Sequence, residues 1–208
     1  MTVTGSGHPA RPPVAVTGSG HPARSPVAVT GGGHDVWISG TSTLLHWNGS
    51  SFEKFPSQGG RAKVSTAGGE LFGVSSGAIL SQFKQGAWQD LKPSTTCAIQ
   101  TVVATGSDIY IGGSIAGKPM PGCIRKWTGS DWLDVFKPNY IVTDMIATSP
   151  SDIWSLSANY NGELYHYNGL AWQLTDTGTR TRFERIFASG PKDRFIISST
   201  GVILHQRD

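Results

Sequence analysis

The sequence predicts an all-β fold, and three observations support that prediction. The 208 residues include 27 glycines and 12 prolines, a composition typical of a chain with many turns. Seven tryptophans, eight phenylalanines and five tyrosines supply large packing surfaces. A unit of about 40 residues, made of short segments in which polar and apolar residues alternate, recurs along most of the chain. No segment with helical periodicity and capping residues competes with this pattern.

Each repeat contains an acidic residue that is followed two positions later by an aromatic residue. These acid–aromatic pairs are Asp35 with Trp37, Glu70 with Phe72, Asp108 with Tyr110, Asp152 with Trp154 and Asp193 with Phe195. Successive aromatic residues of the pairs are 35, 38, 44 and 41 residues apart. Each pair opens a strand-like alternating segment; one such segment precedes it and, except in the fifth repeat, two follow. A full repeat therefore predicts four short strands.

Tight turns are predicted between the third and fourth strands. Asn48-Gly49 and Asn168-Gly169 suit hairpins that need a positive φ. Four short strands in about 40 residues are the signature of a β-propeller blade. The sequence therefore predicts a five-bladed β-propeller of four-stranded antiparallel blades. The repeats lie at about 27–60, 61–97, 98–139, 140–182 and 183–208.

The chain ends suggest how the ring closes. Residues 1–26 are a low-complexity duplication of a 13-residue unit, and the fifth repeat stops before its fourth strand. Because exposed sheet edges invite pairing, we expect Val14–Thr17, or failing that Thr2–Thr4, to pair with Gly201–Gln206 as the missing strand. The alternative role for residues 1–26 is a tail. The alternatives to a closed monomer are a fragment of a longer array and a homo-oligomer that shares blades.

Charge and cysteine content restrict the possible functions. Seventeen basic and fourteen acidic residues give a net charge of +3, too small and too scattered to indicate nucleic-acid binding. No apolar stretch approaches the roughly 20 residues of a membrane span, and the N-terminus lacks a signal-peptide pattern. The two cysteines, Cys97 and Cys123, form either one disulfide or two thiols, and they are too few for a cysteine-rich zinc site.

No motif for nucleophilic catalysis or phosphate binding is present, so we expect neither an enzyme nor a cofactor. One acidic residue per repeat does not converge as a catalytic pair must, and hydrogen bonds to backbone N–H groups in the turns are predicted for these side chains. His46, His166 and His205 occupy one position in separate blades, which places them too far apart for a zinc site. The tryptophans are predicted to pack between blades; they are Trp37, Trp47, Trp88, Trp127, Trp132, Trp154 and Trp172.

Two repeats carry a resemblance to a known repeat family. DVWISG followed by LLHWNGSSF, and SDIWSLS followed by LYHYNGLAW, resemble the bacterial propeller repeats written DVWAVG and GxIxHWDGxxW. The third repeat, DIYIGG with a longer loop before IRKWTG, is nearer to a related type with two glycines after the second strand. The resemblance implies a binding or scaffold module of a bacterial surface or secreted protein, and it implies no activity.

A ligand site is expected where the loops vary. In a four-stranded antiparallel blade, the loops between second and third strands emerge on the same edge as the connections between blades, and loops carry function more often than the scaffold does. The candidate ligand-binding residues there are Arg61, Lys118, Tyr140, Asn159, Tyr160, Arg180 and Arg182. Tyrosine and arginine suit a glycan or a protein partner. We expect a non-catalytic binding module; a structural or assembly module and an unrecognised hydrolase or lyase are the alternatives.

Overall fold

The computed structural model describes residues 28–32, 34–40, 43–56, 61–67, 69–75, 79–91, 96–116, 120–159 and 161–207. These residues form nineteen strands in five antiparallel sheets. In this part of the chain there is no helix with the length and apolar character needed to cross a membrane.

Each sheet is one blade, and its strands follow one another in sequence order. Blade 1 contains β1 (Ala28–Gly32), β2 (Asp35–Ser39), β3 (Thr43–Trp47) and β4 (Phe52–Pro56). Blade 2 contains β5 (Arg61–Ala67), β6 (Glu70–Ser75), β7 (Leu80–Lys84) and β8 (Ala87–Asp90). Blade 3 contains β9 (Ala98–Thr105), β10 (Asp108–Ser114), β11 (Gly122–Trp127) and β12 (Trp132–Phe136). Blade 4 contains β13 (Val142–Ser149), β14 (Asp152–Ser157), β15 (Leu164–Tyr167) and β16 (Trp172–Thr175). Blade 5 contains β17 (Phe183–Gly190), β18 (Asp193–Ser198) and β19 (Ile203–Arg207).

The first strands of the blades form the inside of a ring. β1 contacts β5, β5 contacts β9, β9 contacts β13, and β13 contacts β17. All five first strands line one central cavity. The predicted five-bladed β-propeller is therefore confirmed. Val14–Thr17 and Thr2–Thr4 lie outside the described residues, so their pairing with Gly201–Gln206 stays a prediction.

Buried apolar clusters join successive blades, because neighbouring residues of a strand point to opposite faces of its sheet. In β14, Ile153 packs with Tyr110 of blade 3, whereas the next residue, Trp154, packs with Phe183 of blade 5. Trp88 joins blade 2 to Leu44 of blade 1. Burying each such side chain contributes about 2 kcal/mol. The predicted packing role of the tryptophans is met by Trp88, Trp132 and Trp154, which are all buried.

The glycine pair of the third repeat allows blades 3 and 4 to approach closely. A Cβ atom on Gly112 would lie 2.5 Å from Val142 Cγ1 and 2.7 Å from Met145 Sδ. Both distances are shorter than real carbon contacts allow, so a larger residue would push β13 away. The departure of this repeat from the other four therefore has a packing cause.

The two cysteines are joined in a disulfide inside blade 3. Cys97 precedes β9 and Cys123 lies in β11, with their Cα atoms 6.1 Å apart and a sequence separation of 26 positions. Both side chains are buried. The adjacent Gly122 donates its backbone N–H to Pro138 O at 2.9 Å, so the disulfide lies where the long loop of blade 3 meets the connection to blade 4.

We expect the double replacement of Cys97 and Cys123 by alanine to lower the free energy of unfolding by about 3 kcal/mol, because the disulfide restricts the unfolded chain. Urea unfolding measures this loss. Reduction of the unaltered protein is the matched control and should cause a similar decrease, whereas equal stability before and after reduction would contradict the prediction.

The closing strand is tested by deletion of residues 1–20. If this segment supplies the fourth strand of blade 5, the melting temperature falls by several degrees, because β19 loses its ladder partner. Placing aspartate at Val14 and Val16 in the full chain should have the same effect. A double change of Thr2 and Val3 to aspartate separates the two candidate strands. An unaltered melting temperature after the deletion would contradict the prediction that residues 1–20 supply the fourth strand of blade 5.

Candidate functional site

The loops expected to carry function do share one edge of the ring. Ala158, in the loop after β14, donates its N–H to Ile141 O at 2.7 Å, and Ile141 lies in the connection into blade 4. In blade 5, Ser199 donates its N–H to Arg182 O at 2.9 Å in the same way. We call this edge the loop face.

The predicted site residues are distributed around the loop face. Tyr140, Arg180 and Arg182 are exposed residues of the connections between blades. Arg61 is the first residue of β5, so its backbone starts the innermost strand of blade 2 at this face. Lys118 and Tyr160 lie outside the described residues.

Asn159 has a different environment from the one expected of a ligand-binding residue. It is 7% exposed, its Nδ2 donates to Glu163 Oε1 at 3.0 Å, and its Oδ1 accepts from Asn161 N at 3.1 Å. The other carboxylate oxygen of Glu163 accepts from Tyr165 Oη at 2.9 Å. Burial and the nearby Glu163 carboxylate raise the pKa of Tyr165 to about 12. These contacts hold the loop in its shape.

A central cavity of about 740 Å³ runs between the five first strands. Most of its lining is apolar or hydroxylic, but three charged side chains also line it. They are Lys63 in β5, Asp144 in β13 and Arg185 in β17. All three lie on innermost strands, and the side chains of Lys63 and Asp144 are only 18% and 8% exposed.

The three charges lie at one level of the channel. In its own blade, each charged residue lies opposite the fifth residue of the second strand. Thr101 and Ala28 hold the same position in the other two blades. Each charged residue is also the third residue of its strand. Since the first strands begin at the loop face, the charged level lies about 7 Å inside the mouth of the channel.

Asp144 is the most highly coordinated of the three. Its Oδ1 lies 2.5 Å from Lys63 Nζ and accepts from Met145 N at 3.2 Å, and its Oδ2 accepts from Ile186 N at 3.2 Å. The side chain is 8% exposed. One carboxylate of blade 4 thus bonds both blade 5 and blade 2, and charge-assisted bonds of this kind are stronger than neutral ones.

The cavity wall has an excess of positive charge. Burial lowers the pKa of Lys63, the Asp144 carboxylate opposes that shift, and the positive charge of Arg185 adds to it. Arg185 is itself exposed, and it donates one hydrogen bond, from Nη1 to Glu184 O at 2.8 Å. Two cations and one anion therefore face the cavity in the described part of the chain.

Sequence reasoning missed these three residues, although a signal for them exists. The first strands read AKVSTA, VTDMIA and FERIFA, so a charge recurs at the position that Thr101 and Ala28 hold in the other two blades. The three charged residues align when positions are counted back from the acidic residue of each acid–aromatic pair. Blades 4 and 5 have one more residue in this interval than blade 2. That extra residue coincides with the register shifts at Ala147/Ser149 and Ala188/Gly190.

Four of the acidic residues of the acid–aromatic pairs bond side chains of their own blades, whereas their predicted hydrogen bonds to backbone N–H groups stay a prediction. Trp37 lies directly opposite His46, and Asp35 is two residues away on the same face of the sheet. His46 Nε2 lies 2.8 Å from Asp35 Oδ1, and its ring stacks on Trp37 with centroids 4.0 Å apart. The equivalent trios are Asp152, Trp154 and His166 in blade 4 and Asp193, Phe195 and His205 in blade 5.

Asp152 also joins two blades. Its carboxylate accepts from Thr148 Oγ1, from Trp154 Nε1 at 2.7 Å and from Arg194 Nη2 at 3.2 Å, and it pairs with His166. Arg194, from blade 5, also lies over the Trp154 ring at 4.5 Å from its centroid. Burial by itself would raise the pKa of Asp152, but the hydrogen bonds from these four side chains outweigh it and lower that pKa.

Comparison with known proteins identifies the fold. No family model matches the sequence, and no curated protein matches it. YCF48 from Cyanidioschyzon merolae superposes with a TM-score of 0.66 at 15% identity, over 89% of this chain and 67% of that one. YCF48 bound to a D1 peptide gives a TM-score of 0.60 at 17% identity, over 88% and 77%. The WD40 β-propeller domain of Doa1 gives 0.60 at 12% identity, over 91% and 67%. At these identities the likeness shows the β-propeller fold alone.

We expect Asp152→Asn to lower the free energy of unfolding at pH 7 by about 3 kcal/mol, because it removes the carboxylate charge that bonds His166 and the buried Arg194. The folded-state pKa of Asp152 is depressed, so its stabilisation is complete above the unfolded value of about 4 and is lost as the pH falls through the folded value. The difference from the unaltered protein should therefore shrink at acid pH.

The matched control is Asp35→Asn, which removes the same group from a site where the side chain is 55% exposed. Its cost should stay below about 1 kcal/mol. Urea unfolding of both variants from pH 7 to pH 2 makes the comparison, and equal losses for the two variants would contradict the account of Asp152.

Proposed function

We propose that this propeller is a non-catalytic binding module, and that it takes up an extended segment of a protein partner on its loop face, across the mouth of the central channel. The observation that carries the proposal is the charged cavity behind that mouth. A rigid ring of blades fixes the position of its lining residues, and ligand sites are concave, mostly apolar and equipped with a few polar groups.

The rim of the mouth supplies residues suited to a protein ligand. Tyr140 is 40% exposed, and Arg180 and Arg182 are exposed on the next connection along the chain. Tyrosine and arginine are enriched at the centres of protein interfaces, because each buries a large surface and keeps a hydrogen-bonding group. In this proposal the rim and the cavity act together as one site.

A structurally similar protein lends the proposal support. YCF48 has been solved with a D1 peptide bound, which shows that a propeller of similar shape accepts a peptide. A glycan ligand and an assembly role without a ligand are the competing interpretations. The resemblance of the repeats to bacterial surface and secreted modules favours a site of action outside the cell.

The test is selection of binders from a random peptide library, in parallel with a glycan array. We expect saturable peptide binding that Arg182→Ala or Tyr140→Ala weakens by about fivefold or more. Lys192→Ala is the matched control, because Lys192 is an exposed cation in the turn between β17 and β18, at the opposite edge of the ring. Failure to select any peptide, or an equal loss in the Lys192 variant, would count against the loop face as a peptide site.

A further inference from the structure

We propose that the charged level of the channel receives a carboxylate group from the bound segment, and that Arg185 is its main ligand with Lys63 beside it. This inference rests on the proposed peptide-binding function and names the chemical group that the site selects. The group is either the side chain of aspartate or glutamate or the carboxyl terminus of the segment.

The first argument is charge balance. Lys63 and Arg185 both face the cavity, and Asp144 is the one carboxylate that lines it among the described residues. The wall therefore carries one positive charge in excess. The surrounding lining mixes apolar and hydroxylic side chains, such as Val102 and Thr101, so an arriving anion meets no second carboxylate among the described residues.

Asp144 and Arg185 differ in how many of their hydrogen-bonding groups are already used. Asp144 already accepts from Lys63, from Met145 N and from Ile186 N. Arg185 donates its one hydrogen bond among the described residues to a backbone carbonyl, that of Glu184. A guanidinium carries five N–H donors, so most of those of Arg185 are open to a ligand.

The third argument is shape. The planar fork of a guanidinium binds both oxygens of a carboxylate at once, which a lone ammonium cannot do. The charged level lies about 7 Å inside the channel, within reach of a side chain or a chain end that enters from a segment lying on the loop face. Lys63 adds positive charge at the same level, because its Nζ is held by Asp144 on the cavity wall.

Lys63 and Arg185 also repel each other. Burial is the main cause of the lowered pKa of Lys63, the Asp144 carboxylate opposes that shift, and the positive charge of Arg185 makes the smallest contribution to it. A carboxylate placed between them would offset this repulsion. The site is therefore preorganised for an anion, since no cation has to be brought in on binding.

The experiment uses the full chain and four random heptapeptide libraries. Two libraries include Asp and Glu among their residues, and the other two replace these with Asn and Gln. Each kind is made once with a free C-terminus and once with an amidated C-terminus. We expect the unaltered protein to prefer one carboxylate-bearing library by about tenfold or more over its neutral counterpart. Preference for the Asp and Glu libraries identifies a side chain, and preference for the free C-terminus identifies a chain end.

Arg185→Gln should abolish the preference for carboxylate, and Arg185→Lys should retain part of it, whereas Lys192→Gln at the opposite edge should leave it unchanged. Because Arg185 is exposed, these variants should keep the melting temperature of the unaltered protein. Peptide binding with no preference for carboxylate, or a preference that survives Arg185→Gln, would overturn this inference and leave the proposed function standing. Absence of binding from all four libraries would overturn both.

Discussion

Apolar side chains buried between adjacent blades hold the ring together from blade 1 to blade 5. A lone four-stranded sheet of this size cannot cover its apolar residues, and in β14 the successive side chains of Ile153 and Trp154 pack on the blades on either side. The regularity of the blades then leaves variation to the loops and to the few unusual residues of the innermost strands.

The fold could be predicted from the sequence because its determinants are local and repeated. The acid–aromatic pairs and the Asn-Gly turns reflect contacts within one blade. The unit recurs about every 40 residues, so five copies of it support the same prediction. Gly112 shows the limit of this approach. The sequence marks Gly112 as part of a variant repeat. The reason for a glycine there is the close approach of Val142 and Met145, which belong to a neighbouring blade.

The candidate site was harder to predict, because it is assembled from residues far apart in sequence. Lys63, Asp144 and Arg185 come from three blades, and only the closed ring brings them to one level. The loops that sequence reasoning favoured lie at the edge where the first strands begin, about 7 Å from this level. Partners of buried charges were likewise invisible: the bond from Arg194 to Asp152 crosses 42 positions and joins two repeats that look independent in the sequence.

The ion pair between Lys63 and Asp144 spans 81 positions and joins blade 2 to blade 4, so it passes over blade 3. Contacts between neighbouring blades determine each successive angle separately, and small deviations in those angles add up around a ring. A bond that skips one blade constrains the sum of two of these angles. The pair therefore limits how far blades 2 and 4 can move apart across the channel.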